Sequence, residues 1–297
     1  QRNSSPDIGF DRSLNPYRGC EHGCAYCYAR PTHEYLGYSA GLDFESKIVA
    51  KPDAAEILRQ ELLRPGYRPA TLAMSGVTDC YQPLEKKLRI TRGCLEVLAE
   101  MRHPVTIITK NALVLRDLDL LQELATVGAV RVALSVTSLD RDLSAKLEPR
   151  ASAPRARLGA VEQLASHGIP VGVMVAPLIP MLNEPEMPGV LKAAAEAGAG
   201  FAGYTVVRLP HGVTDIFAGW LEEHFPMRRE AILGRIEKMQ GPTSGGRAFG
   251  ERLAGQGIHS DQIAALFKAT CRRLGLPTGT HPPLATEAFR RADGVQT

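Results

Sequence analysis

Between residues 70 and 207 the chain repeats one pattern. Short apolar runs of strand length lie over 70–75, 105–109, 130–136, 170–176 and 201–207. Stretches of helical period lie between them, over 91–101, 113–127, 155–167 and 185–197. The run over 105–109 is rich in β-branched residues, which favour a pleated strand. Gly168 and Gly198 close two of the helical stretches. A further strand ends in the stretch from Leu14 to Gly19, which brings the total to six strand and helix units. Alternation of this kind implies a parallel sheet with helices outside it. The pattern alone fits either a doubly wound sheet or an incomplete barrel. Before the alternation begins, 28–35 reads as the start of a helix, 44–50 as β-like and 52–63 as helical.

After residue 210 the alternation stops. Helices are expected over 216–224, 227–239 and 262–274, with a flexible link at 241–246. This divides the chain into an α/β unit over 1–210 and a helical extension over 211–297. The 297 residues suffice for that plan. Net charge is only +3, but residues 226–297 carry 11 Lys/Arg against 6 Asp/Glu, a local excess of 11 − 6 = +5. Such a bias fits a solvated helical face or attraction to a polyanion.

The chemistry concentrates at Cys20, Cys24 and Cys27, spaced C-x3-C-x2-C, with Tyr26 before the last. Clustered thiolates hold iron–sulfur clusters or zinc. A zinc site needs a fourth ligand, for which His22 and His33 are the nearby candidates. Three thiolates on a cubane cluster leave one iron open for chemistry. Gly19 and Gly23 allow the loop to fold tightly. Cys94 and Cys271 lie on apolar helical faces and read as buried small hydrophobes.

The cysteine spacing with its aromatic resembles the radical S-adenosylmethionine (SAM) superfamily. The resemblance implies a partial (β/α)6 TIM-like barrel and a [4Fe–4S] cluster on Cys20, Cys24 and Cys27. SAM would chelate the fourth iron and be split to a 5′-deoxyadenosyl radical that abstracts hydrogen from a substrate. A one-electron donor such as flavodoxin or ferredoxin is implied as partner. Four further segments look like the subgroup similar to spore photoproduct lyase: 15–20 (NPYRGC), 27–30 (CYAR), 78–83 (TDCYQP) and 148–150 (EPR), with support from 109–117. That likeness covers most of 10–210 and implies DNA or RNA as substrate. A peptide or small molecule is the alternative, and a non-catalytic zinc or iron–sulfur module on nucleic acid is another.

In such barrels the reacting groups sit at the C-terminal strand ends. The resemblance therefore makes Ser75, Gly76 and Thr78 candidates for the methionyl end of SAM, and Tyr26, Asp79 and Lys110 further cofactor-binding candidates. Ser135 and Ser138 are candidates for its ribose. Glu148 and Arg150 are candidates for ribose hydroxyls or carboxylate, and Pro177 for the adenine wall. Tyr204 and Arg208 would face substrate. Cys80 would return a hydrogen atom, with Tyr81 as relay. The lyase's donor cysteine precedes the aspartate of this strand end, whereas Cys80 follows Asp79.

Six cysteines without paired spacing argue for a reducing compartment. No signal peptide and no run of about 18 apolar residues is visible. A start at Gln1 points to a trimmed N-terminus. The expectation is a cytoplasmic, monomeric enzyme that does not engage a membrane.

Overall fold

The computed structural model describes residues 12–210, 212–240, 255–279 and 283–291. Strand β1 (Arg12–Leu14) leads to a two-strand antiparallel pair, β2 (Tyr17–Arg18) and β3 (Val49–Ala50). Between that pair run a 3-10 helix (Arg30–Leu36) and α1 (Leu42–Ser46). Next come α2 (Ala54–Leu63), β4 (Leu72–Met74), α3 (Glu85–Leu88), α4 (Ile90–Glu100) and β5 (Val105–Thr109). A 3-10 turn (Ala112–Asp117), α5 (Leu118–Thr126), β6 (Val130–Ser135), α6 (Arg141–Leu147), α7 (Pro154–Ser166) and β7 (Val171–Leu178) follow. The order closes with a 3-10 turn (Glu184–Glu186), α8 (Met187–Glu196), β8 (Ala202–Val206), α9 (Val213–His224), a 3-10 turn (Pro226–Arg228), α10 (Arg229–Gln240) and α11 (Ile258–Leu274).

The six-strand sheet has the order β1-β4-β5-β6-β7-β8, parallel throughout. Sequential order with helical crossovers is the arrangement of a partial TIM-like barrel. Register explains the sequence pattern. Val105 and Ile107 pair with Val130 and Val132, and all four are buried against the helices. The alternate positions carry Ile108, Ala133, Gly172 and Gly203. Gly172 is obligatory there, because a Cβ would stand 2.3 Å from the Phe201 ring.

Two expectations need correction. Residues 44–50 are mostly not β: Phe44 sits in α1 and only Val49–Ala50 pair as strand. The helix expected over 28–35 is a 3-10 turn behind Pro31. Helix α6 went unread, although Asp140 caps it through hydrogen bonds from Asp142 N (2.8 Å) and Leu143 N (3.1 Å). The link expected at 241–246 lies outside the described residues.

The helices after β8 pack in two places. Phe267 of α11 joins the main core, its ring 4.6 Å from Tyr204. Phe217, Trp220 and Leu221 of α9 and Ile232 and Ile236 of α10 join Cys24, Ala25 and Tyr26 in a second apolar cluster. Trp220 Nε1 donates to Lys146 O at 3.0 Å.

His103 gives the fold a pH dependence. It is fully buried, with Nε2 2.8 Å from the Tyr67 hydroxyl and Nδ1 3.1 Å from Pro104 O. Burial lowers its pKa to about 4. Above pH 6.5 the imidazole is neutral folded and unfolded, so stability is full. As pH falls from 6.5 to about 4 the unfolded chain takes up a proton that the folded chain refuses, which costs up to about 3 kcal/mol. Urea unfolding at pH 7.5 and 4.5 should show this loss in wild type, and a smaller loss in His103→Gln.

Candidate metal and cofactor site

The cysteine loop is wound by its own backbone and clamped from outside. Gly23 N donates to Cys20 O (3.4 Å), Cys27 N to Cys24 O (3.3 Å) and Arg30 N to Cys27 O (3.2 Å). Cys20 N donates to Phe44 O at 2.9 Å, and Ala25 N to Leu147 O at 3.1 Å. Gly19 holds φ at +78°, and a Cβ there would stand 2.8 Å from Phe44 O. Buried Arg30 donates through Nε to Cys24 O (3.0 Å) and through Nη1 to Gly41 O (2.8 Å), and pairs with Glu45 (3.2 Å).

All three thiols are free, and Cys20 and Cys24 are buried. Burial, aided by Asp79, pushes Cys20 up to about 12, and burial also raises Cys24 and Cys27. Lys110 works against the rise at Cys24 and Cys27. Such thiols become thiolates when a metal supplies the compensating positive charge. His22 is engaged at both ring nitrogens and His33 at one, its Nδ1 being buried without a partner. His22 Nδ1 lies 3.5 Å from Asp79, and His33 Nε2 lies 3.0 Å from Lys47 O. Among the described residues no three His, Cys, Asp or Glu converge on a single ion. The donor set is three thiols without a histidine, which fits a cluster held by three protein ligands better than mononuclear zinc.

The strand ends beside this loop form one connected rim. The Asp79 carboxylate accepts from Thr109 Oγ1 (2.7 Å), Lys110 N (2.8 Å) and Tyr81 N (2.9 Å), which ties the end of β4 to the end of β5. Lys110 Nζ donates to Ser135 Oγ at 2.9 Å and lies 5.9 Å from the Tyr26 ring centroid. Ser135 Oγ donates to Ala176 O at 2.8 Å, next to Pro177, at the irregular register of β7. Buried Asn183 latches this turn, donating to Thr137 O (2.7 Å) and Pro177 O (3.0 Å). Tyr26, Lys110, Ser135 and Pro177 are thus brought to the cysteine loop. Ser75, at φ +80°, accepts from Cys80 N through Oγ (2.7 Å). Gly76 O accepts from the Tyr28 hydroxyl (2.7 Å), and Thr78 Oγ1 reaches Tyr17 O (3.4 Å). Ser138 is engaged by Glu186 at 2.7 Å.

The remaining candidates make contacts with the scaffold. Glu148 is buried, its Oε1 accepts from Tyr26 and from Thr137 Oγ1 (2.5 Å) and its Oε2 pairs with Arg157, so it anchors the aromatic beside Cys27. Burial pushes its carboxyl up, but Arg157 and Lys110 outweigh burial and hold it below the usual range. Arg150 is 46% exposed and braces Glu45 and Glu21 O on the outer side of the loop. Cys80 and Tyr81 are fully buried in the main core, and the Tyr81 hydroxyl donates to buried Asp117 at 3.1 Å. Tyr204 packs on Phe267 rather than facing the concave side.

Sequence reasoning missed Arg157, Arg30 and Gln82. Arg157 had a signal: it shares the i, i+3, i+4, i+7 stripe of Ala160, Val161 and Leu164, all buried on α7. Arg30 and Gln82 lie in the motif segments 27–30 and 78–83, but no spacing rule marks their individual contacts, to Cys24 O and Glu45 for Arg30 and to Gly19 O and Glu21 N for Gln82.

A parallel half-barrel with three thiols at its mouth defines the class of cluster-dependent SAM proteins. The chain belongs to the radical SAM superfamily, whose family match covers residues 14–194. Uncharacterized proteins of Mycobacterium tuberculosis and Mycobacterium bovis are 38% identical over 223 residues, 74% of this chain. The chain spans 65% of the length of those relatives. An uncharacterized protein of Methanocaldococcus jannaschii is 30% identical over 58% of this chain and 62% of its own length. Structures of spore photoproduct lyase align with a TM-score of up to 0.63 over 92% of this chain and 75% of theirs, at 18% identity. One of those is complexed with a dinucleoside spore photoproduct. At that identity the likeness is one of fold. No helix among the described residues is long and apolar enough to cross a membrane.

Proposed function

We propose that this chain is a radical SAM enzyme acting on a nucleic acid. The observation that carries the reading is the position of the Cys20–Cys27 loop, with its three free thiols, beside Lys110, Ser135 and the β4 turn at one barrel mouth. Cys20, Cys24 and Cys27 would hold the [4Fe–4S] cluster. Lys110 offers an ammonium for the SAM carboxylate, and Ser75, Gly76 and Thr78 line the methionyl end. Ser135 offers a hydroxyl to the ribose, and Pro177 forms an apolar wall. Asp79 keeps Lys110 in place through its backbone, and burial of the loop keeps water from the thiols. When bound, the cluster and SAM supply the electron and the 5′-deoxyadenosyl radical. An acidic redox protein such as flavodoxin or ferredoxin would deliver that electron.

The nucleic-acid substrate is supported by the lyase-like fold and by the exposed cations Arg228, Arg235, Lys238, Lys268, Arg272 and Arg273 on the C-terminal helices. Anaerobically reconstituted, reduced protein should release 5′-deoxyadenosine from SAM. It should also bind DNA or RNA oligonucleotides with an affinity that falls steeply with salt. Release of 5′-deoxyadenosine with no oligonucleotide binding at low salt would move the substrate to a peptide or small molecule. No release from iron-loaded protein with any of these would count against the radical reading.

A further inference from the structure

Gln82 lies in the 78–83 stretch, and none of the roles above uses it. Its side chain is fully buried. The amide oxygen accepts from Glu21 N at 2.9 Å, and the amide nitrogen donates to Gly19 O at 3.3 Å. The two bonds bracket Cys20, one on each side. A second tie runs the other way: the Glu21 carboxylate accepts from Leu84 N. The turn bearing Gln82 is itself held, because Gln82 N donates to Asp79 O (3.3 Å) and Glu85 N donates to Gln82 O (2.9 Å). The same turn begins at Asp79, which is bonded to the end of β5.

The chemistry of this side chain is specific. A loop with a left-handed glycine on one side of Cys20 has a permissive backbone that needs an external hold. Bracketing requires one donor and one acceptor on a neutral side chain of this length. Glutamine meets the need; asparagine is one methylene short, and glutamate loses the donor. Without the amide, Gly19 O and Glu21 N would be left buried and unpaired.

We infer that Gln82 is a positioning residue for Cys20, fixing that thiol for the metal cluster through the backbone on either side of it. The inference rests on the cluster reading above. Its test compares wild type, Gln82→Met, which keeps the shape without the bonds, and Glu21→Ala, which removes the second tie at a half-buried site. Thr270→Val, a buried polar change on α11 outside the barrel, controls for general loss of stability. After anaerobic reconstitution, the readouts are iron and sulfide per chain, the rate of iron loss to a ferrous chelator, and the low-temperature EPR spectrum of the reduced protein. Gln82→Met should lose iron about ten-fold faster than wild type, in line with the effect of removing outer-shell partners. Its EPR g-values should shift. Glu21→Ala should move the same way by less, and Thr270→Val should match wild type. Wild-type iron retention and g-values in Gln82→Met would overturn the inference alone. Should Gln82→Met not fold, wild-type behaviour of Glu21→Ala overturns it instead. Wild type that takes up no iron and sulfide would overturn the cluster reading, and the inference with it.

Discussion

Cys24→Ala should reconstitute to almost no iron and sulfide and release no detectable 5′-deoxyadenosine. Cys24 supplies the middle thiol of the proposed set and is buried, with its carbonyl receiving both Cys27 N and Arg30 Nε. Removing its sulfur leaves two thiols on a loop where His22 is engaged at both ring nitrogens and His33 at Nε2. His22 faces Asp79 and Asn111, and His33 faces Lys47 O. Loss of outer-shell partners costs roughly 10–100-fold in metal affinity, and loss of a ligand from a set of three exceeds that range. The control is Cys94→Ala, a buried thiol on α4 that packs in the main core and should keep the full cluster. Iron analysis and product chromatography on the two variants check the expectation. Wild-type iron and product from Cys24→Ala would remove this loop as the cluster site.

Arg157→Met should destabilise the fold by about 3–5 kcal/mol, the cost of stranding one member of a buried ion pair. Arg157 is the largest fully buried side chain and pairs with Glu148. Its Nη1 also donates to Ser135 O (2.9 Å) and its Nε to Ser152 O (2.6 Å). The pH dependence has a definite sign. In wild type the Glu148 carboxyl is held low, so its contribution is present above its unfolded pKa and is lost as pH falls through the folded value. Without Arg157 burial dominates and raises that pKa. The variant should therefore recover stability relative to wild type on mild acidification, the two proteins sharing the loss that His103 imposes. Urea unfolding of both proteins at pH 7.5 and 5.5 measures this. Adding Glu148→Gln to Arg157→Met should restore part of the loss at pH 7.5. A loss below about 1 kcal/mol in the single variant would mean that the pair is solvated.

Elements were legible where one residue's neighbours in sequence are also its neighbours in space. The β-branched run at Val105–Thr109 was read with its observed bounds, and the helices α4, α7 and α8 to within a few residues. Residues 44–50 were misread because Phe44 and Ile48 are apolar at a spacing that suits either period, and the short α1 is held by the cysteine loop through Phe44 O. Site residues divided in the same way. Lys110 and Ser135 were singled out by the rule that strand ends carry chemistry, and the fold brings their side chains together. Glu148 and Arg150 are two residues apart, yet one points into the protein and the other to its surface.

By itself the sequence determined the alternating architecture and the three-thiol loop, since both are written in local spacing: period 2 against 3.6, and C-x3-C-x2-C. The tertiary structure decided which polar residues line the rim beside the cysteine loop and which brace the scaffold. Asp79, Glu85, Asp117, Glu148 and Arg157 look alike as letters in a sequence. Their roles follow from burial, because a charge withdrawn from water must find a partner, and here those partners lie across the fold rather than along the chain.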